Sequence, residues 1–223
     1  MPEAFLLGPL VIKATMITTF LAFLLGSIFY WFLSPFKQEE KKAHLNRVVD
    51  GLIVFMITTF LGKILFNLAL FFTDPLAVLA YPSDSRAFYI ATVVTSFMIY
   101  RQVKRGKVDL APFVDSLIRY LLISQFIWLF ISLIATNYYV SIFHLTFYAI
   151  LLICIVLIQP EAAFYWFVPS ILIVYGFGLG LLTFVISTPL FGFYVHASYY
   201  FFIGILGVLV LVQSSGKSRY RIF

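Results

Sequence analysis

Charge is scarce in this sequence. Only 11% of its 223 residues are Asp, Glu, Lys or Arg, while 63% are hydrophobic and the mean hydropathy is +1.05. A soluble domain carries about 25% charged residues, so this chain has too little polar surface for a water-soluble globule. Cysteine is scarcer still. Cys154 stands alone, which excludes an intramolecular disulfide framework and a cysteine-based zinc site. It lies within the apolar run Tyr148–Ile158 and reads as a buried thiol in lipid or at a helix contact. His44, His144 and His196 are isolated and lack metal-ligand spacing. Neither a metal nor a cofactor is expected. Met1-Pro2-Glu3 opens no basic n-region, and no small-residue cleavage site follows, so no cleavable signal peptide is expected.

What is present in abundance is apolar chain. A helix needs about 20 apolar residues to cross about 30 Å of hydrocarbon. The runs between polar breaks give seven candidate spans: Leu10–Leu33, Gly51–Phe72, Ala87–Tyr100, Leu117–Ala135, Val140–Ile158, Ala162–Ile186 and Leu190–Val212. The third is short and pinned between Arg86 and Arg101, whose stems can lengthen it by snorkelling. The last connections, Thr136–Tyr139, Gln159–Glu161 and Ser187–Pro189, are short enough to force antiparallel neighbours. The expected fold is an all-α, polytopic membrane helix bundle forming a single transmembrane domain over residues 1–223.

The basic residues orient it. Lys37, Lys41, Lys42 and Arg47 lie in one loop, Arg101, Lys104, Arg105 and Lys107 in another, and Lys217, Arg219 and Arg221 in the tail. With seven spans and the N-terminus outside, all three segments face the cytoplasm, as the positive-inside rule requires. Removing the third span would put the two basic loops on opposite sides. The net charge of +6 is thus chiefly a topology signal. It forms no contiguous basic face of the kind nucleic acid needs, and no nucleic-acid partner is expected.

Polar residues at membrane depth are costly and therefore informative. Lys13 can snorkel outward. Asp115 and Arg119, spaced i, i+4 after Pro112, share a helix face and read as a structural ion pair at the interface. Glu161 sits in a tight turn and reads as solvated. Lys63 is different. At 1.5 Å per residue it lies roughly 13–18 Å from either end of its span, too deep for easy snorkelling. Asn67 is one turn further on the same face. An ammonium there suits a lipid phosphate or a polar cavity. Asp84 and Arg86, at the end of the outer loop Thr73–Arg86, can approach it from outside, and Tyr89 follows. Met16–Leu21 recurs as Met56–Leu61, read as coincidence or as paired Thr contacts between helices and not as a duplicated unit, and Gly176 with Gly180 suits close helix packing.

Leu7-Gly8-Pro9-Leu10 at the entry to span one, Gly62-Lys63 in span two, and Asp74-Pro75-Leu76 before a short span and a basic loop occur in this order. In this the first 135 residues or so resemble the prolipoprotein diacylglyceryl transferase family. Those bacterial membrane enzymes move a diacylglyceryl group from phosphatidylglycerol to a lipoprotein cysteine. The resemblance implies a seven-span, N-out/C-in scaffold in the bacterial cytoplasmic membrane. It does not extend to the family's chemistry. Where the family has His-Gly-Gly, this chain has Tyr89-Ile90-Ala91, and Ile123–Trp128 replaces a Gly-Arg-x-Gly-Asn signature. Lys63 stands in place of an arginine. From Val140 onward none of the family's later arginine and glutamate features appear.

The expectation is therefore a scaffold without the family's catalytic set. It binds lipid, a lipoprotein segment or another membrane protein through Lys63, Asn67, Asp84 and Arg86. Two alternatives remain open. One is an active lipid-to-protein transferase with a rewired site, for which Tyr89 is a weak catalytic candidate. A phenol with a pKa of about 10 is a poor base near neutral pH. The other is a small transporter or channel subunit. Transporters show longer internal symmetry than this repeated hexamer.

Overall fold

A computed structural model describes residues 4–7, 10–75, 78, 85–135, 142–157 and 164–219. These are mostly helical, and the chain divides into two compact units. Three helices are long and apolar enough to cross a membrane: Ala14–Leu33, Gln38–Phe66 and Leu110–Ile134. Shorter apolar helices cover Ile142–Leu157, Trp166–Leu182 and Ala197–Gln213. The molecule is a helical membrane protein.

The first unit contains Met1–Val140 and Leu190–Phe193. It begins with a hairpin, β1 (Ala4–Leu7) and β2 (Leu10–Lys13), paired antiparallel from Ala4 against Lys13 to Leu7 against Leu10. Helix α1 (Ala14–Leu33) follows, so the first apolar run becomes helical only where strand pairing ends. Its buried residues Ala14, Thr18, Ala22, Gly26 and Tyr30 recur every fourth position and form one narrow stripe. Pro35, which disfavours helical backbone before it, follows the C-cap Ser34.

Helix α2 (Gln38–Phe66) has 29 residues, or about 43 Å at the helical rise. That exceeds the hydrocarbon thickness, and its polar start through Asp50 supplies the excess. Glu39 and Glu40 sit in its first turn, where they complement the helix dipole. It breaks at Asn67 (φ −129°, ψ 37°), and α3 (Leu68–Thr73) resumes the run, so the second expected span is two helices. Helix α4 (Ser85–Lys104) has 20 residues where the apolar run is only Ala87–Tyr100, because the polar residues at both ends remain helical. Helix α5 (Leu110–Ala135) packs antiparallel on α1, with Tyr30 bonded to Ser116 at one end and Trp128 to Thr19 at the other.

The second unit contains Ser141–Pro189 and Tyr194–Phe223. It is built from α6 (Ile142–Leu157), α7 (Phe164–Leu182) and α8 (Ala197–Arg219). Helices α7 and α8 pack through glycine. A Cβ on Gly176 would collide with the Gly204 backbone, and one on Gly207 would come 2.9 Å from Ile173 N. The spacing of Gly176 and Gly180 does serve close approach, although Gly180 faces the Phe201 ring at 2.9 Å rather than backbone. Helix α6 buries His144, Tyr148, Leu151 and Ile155, a single helical face. Cys154 is exposed on α6, outside that face.

The run beginning at Leu190 is helical only from Ala197. Before it lie two short strands, β3 (Pro189–Leu190) and β4 (Phe193–Tyr194), joined by Phe191 at φ 50° and Gly192 at φ 85°. Two successive positive φ values are the signature of a two-residue type I′ hairpin.

Candidate functional site

The break at Asn67 creates the setting for Lys63. Interrupting a helix frees carbonyls one turn earlier, and Asn67 Nδ2 donates to Lys63 O at 2.9 Å to satisfy one of them. Asn67 N–H bonds Ile64 O at 3.1 Å. One residue before Lys63, Gly62 lets α4 come close: its missing Cβ would lie 3.1 Å from Ala87 Cα. The last turns of α2 and the first turns of α4 therefore share one end of the helix pair.

Lys63 is 5% exposed, with Nζ 5.8 Å from the Phe60 ring centroid. Arg86 is exposed, and its guanidinium carbon lies 5.1 Å from the Phe66 ring centroid. Each cation is thus held against an aromatic face, an arrangement that steadies a charge where water is scarce. Tyr89 is half-buried and edge-on to Phe88 at 6.1 Å. Phe88 is buried against Phe55 at 5.3 Å and Phe193 at 5.1 Å. Lys63 in the last turn of α2 and Asn67 at its C-cap, and Arg86 and Tyr89 in the first turns of α4, therefore occupy neighbouring turns. Asp84, most of the outer loop, and Glu161 lie outside the described residues.

Asp115 and Arg119 occupy the start of α5, where Arg119 Nε donates to Asp115 Oδ2 at 2.8 Å. Both are buried, at 4% and 3% exposure, rather than solvated at an interface. The reason is the neighbouring α1: Tyr30 OH donates to Ser116 Oγ at 2.9 Å beside them, closing a polar corner.

That corner opens a seam which the sequence reading missed. Tyr120 OH donates to Phe23 O at 2.9 Å and lies 3.3 Å from Ser27 Oγ. Ser124 fills the space left by Gly26. Trp128 Nε1 donates to Thr19 Oγ1 at 3.0 Å. Gln125 Oε1 accepts the Phe191 N–H at 3.0 Å, and the Phe191 ring lies 4.6 Å from Phe23. These contacts hold a bulky residue at positive φ, which is otherwise disfavoured. The available signal was the row Ser116, Tyr120, Ser124, Trp128, which repeats every four residues opposite the small-residue stripe of α1.

The Lys63 end offers cations, an amide and aromatic faces. Groups of these kinds can meet an anion, and no nucleophile–base pair occurs among the described residues. No group of three His, Cys, Asp or Glu able to hold a metal occurs among them either. Comparison with protein-family models, curated proteins and solved structures finds no match to this chain.

Proposed function

We propose that this chain is a multi-pass protein of the bacterial cytoplasmic membrane that binds a phospholipid headgroup at the Lys63 end of α2 and α4. Its scaffold is taken to be diacylglyceryl-transferase-like, with seven spans, N-out and C-in, and without the family's catalytic residues. The observation that carries this reading is that two cations, Lys63 in the last turn of α2 and Arg86 in the first turn of α4, come to the same end of the helix pair. Arg86, exposed one helix away, gives a phosphate a second charge to meet. A lipoprotein segment or a membrane partner presenting the same chemistry is served by the same arrangement.

The test is lipid retention. Full-length wild type, Lys63→Ala and Lys63→Met are purified in neutral detergent and their bound phospholipid is quantified. The wild type is expected to retain lipid and both variants to lose most of it. Equal retention by all three removes Lys63 as a headgroup site. A transfer assay from labelled phosphatidylglycerol to a lipobox peptide, run beside an active transferase, separates binder from enzyme. No transfer is expected, because Tyr89 has neither the family's histidine nor its glycines around it.

A further inference from the structure

We infer that the α4–α5 turn is a docking surface for anionic lipid headgroups, separate from the Lys63 end. Helix α4 stops in a rigid way. Gly106 has φ 67°, its N–H bonds Val103 O at 2.9 Å, and Lys107 N–H bonds Gln102 O at 3.1 Å. That pair of bonds is a Schellman motif, which satisfies the last carbonyls and fixes the path of the chain. The motif presents Arg101, Lys104, Arg105 and Lys107, all exposed. Among the described residues none of the four is ion-paired. The run from Arg101 to Val108 contains no acidic residue.

The occupant follows from what leads up to the turn. Val93, Phe97, Tyr100 and Lys104 are spaced i, i+4, i+7, i+11, so they line one face of α4. The first three are 68%, 58% and 60% exposed. This row passes from aliphatic to aromatic, then to an amphipathic phenol, then to a cation, over about 16 Å of helix. A phospholipid has the same order: acyl chain, interface, phosphate. A soluble polyanion matches the cations but leaves Val93 and Phe97 uncovered. Tyr at the interfacial level with Lys or Arg immediately beyond is the arrangement that anchors a helix at the headgroups. Arg86 and the Lys63 end lie at the opposite end of α4.

The test uses the full chain in neutral detergent. It is titrated with phosphatidylglycerol or phosphatidylcholine of matched acyl chains while thermal unfolding is followed. Wild type is expected to be stabilised more by phosphatidylglycerol, with the difference shrinking at high salt. Lys104→Gln/Arg105→Gln/Lys107→Gln is expected to lose that preference about a hundred-fold, each surface cation contributing about five-fold. The titrations are repeated in a Lys63→Ala background, where the charge-removing substitutions are expected to cause the same loss, which separates this surface from the other site. Lys104→Gln alone, expected to lose about five-fold, serves if the triple variant does not fold. An undiminished preference in the charge-removed variants, or none in the wild type, overturns the inference. Competition by a single-stranded oligonucleotide as tight as phosphatidylglycerol at physiological salt also overturns it.

Discussion

Tyr30 and Trp128 mark the two ends of the α1–α5 seam, and each spends its polar tip on the facing helix. Both are nearly fully buried, so removing the tip leaves a partner unsatisfied. Tyr30→Phe is expected to cost about 1–2 kcal/mol, read as a lower unfolding temperature with the helical content unchanged. His44 belongs to the polar start of α2, ahead of Gly51. It is 8% exposed, its ring lies 4.8 Å from Phe36, and Nδ1 has no hydrogen-bond partner among the described residues. Burial first, and the Arg47 charge second, lower its pKa below the ordinary 6.5, while Glu40, Asp109 and Asp115 pull the other way. The folded state thus prefers neutral His44. Its contribution is complete above the unfolded value and is lost as pH falls below about 6.5. Wild type is expected to lose unfolding temperature between pH 7 and pH 5, and His44→Phe to lose less. Parallel curves would remove His44 as the cause. Lys63 was legible in the sequence because one charge interrupts an apolar run. The hydroxyl and amide contacts of the seam were not, since Ser, Tyr and Thr in a helix bond their own backbone as readily as a neighbour.

Among the elements, the glycines show how context decides the sign of one substitution. Gly176 in α7 meets the Gly204 backbone of α8, so even a methyl group forces two backbones apart. Gly51 in α2 has nothing within 4 Å of its missing Cβ. Gly176→Ala is expected to destabilise the second unit by about 1–3 kcal/mol. Gly51→Ala is expected to be stabilising by about 0.4–1 kcal/mol, through the conformational freedom it removes from the unfolded chain. Thermal unfolding of the two variants side by side checks both signs. The Gly176 and Gly180 spacing was readable in advance, because small residues four apart must share a face. The two hairpins were not. Leu10–Lys13 and Leu190–Tyr194 are as apolar as the helices they precede, and hydropathy does not distinguish a short strand from a helix start. Strand pairing of Ala4–Leu7 with Leu10–Lys13 and the positive φ pair Phe191-Gly192 decide it, and of that pair only Gly192 announces itself in the sequence.

For the whole molecule, composition determined the class and left the arrangement open. A chain with 63% hydrophobic residues needs lipid around it, and the long apolar helices agree. The apolar runs supplied the candidate spans, and the charge distribution supplied their orientation. In the first unit that charge has a structural counterpart. Because α1 and α5, and α2 and α4, pack antiparallel, the end of α1, the start of α2, the end of α4 and the start of α5 share one end. Lys37, Lys41, Lys42, Arg47, Arg101, Lys104, Arg105 and Lys107 all gather there. The opposite end has Lys13, Thr73, Asp74 and Arg86. If the positive-inside rule holds, the basic end faces the cytoplasm. Single cysteines in a Cys154→Ser background test this in intact cells with a membrane-impermeant maleimide. Thr73→Cys is expected to label from outside. Lys42→Cys and Arg105→Cys are expected to label only after the membrane is permeabilised. Labelling of Lys42→Cys and Arg105→Cys from opposite sides would mean that α4 does not cross, and the count would drop to six. Labelling of both from outside would invert the orientation and move the basic lipid-docking turn to the outer leaflet.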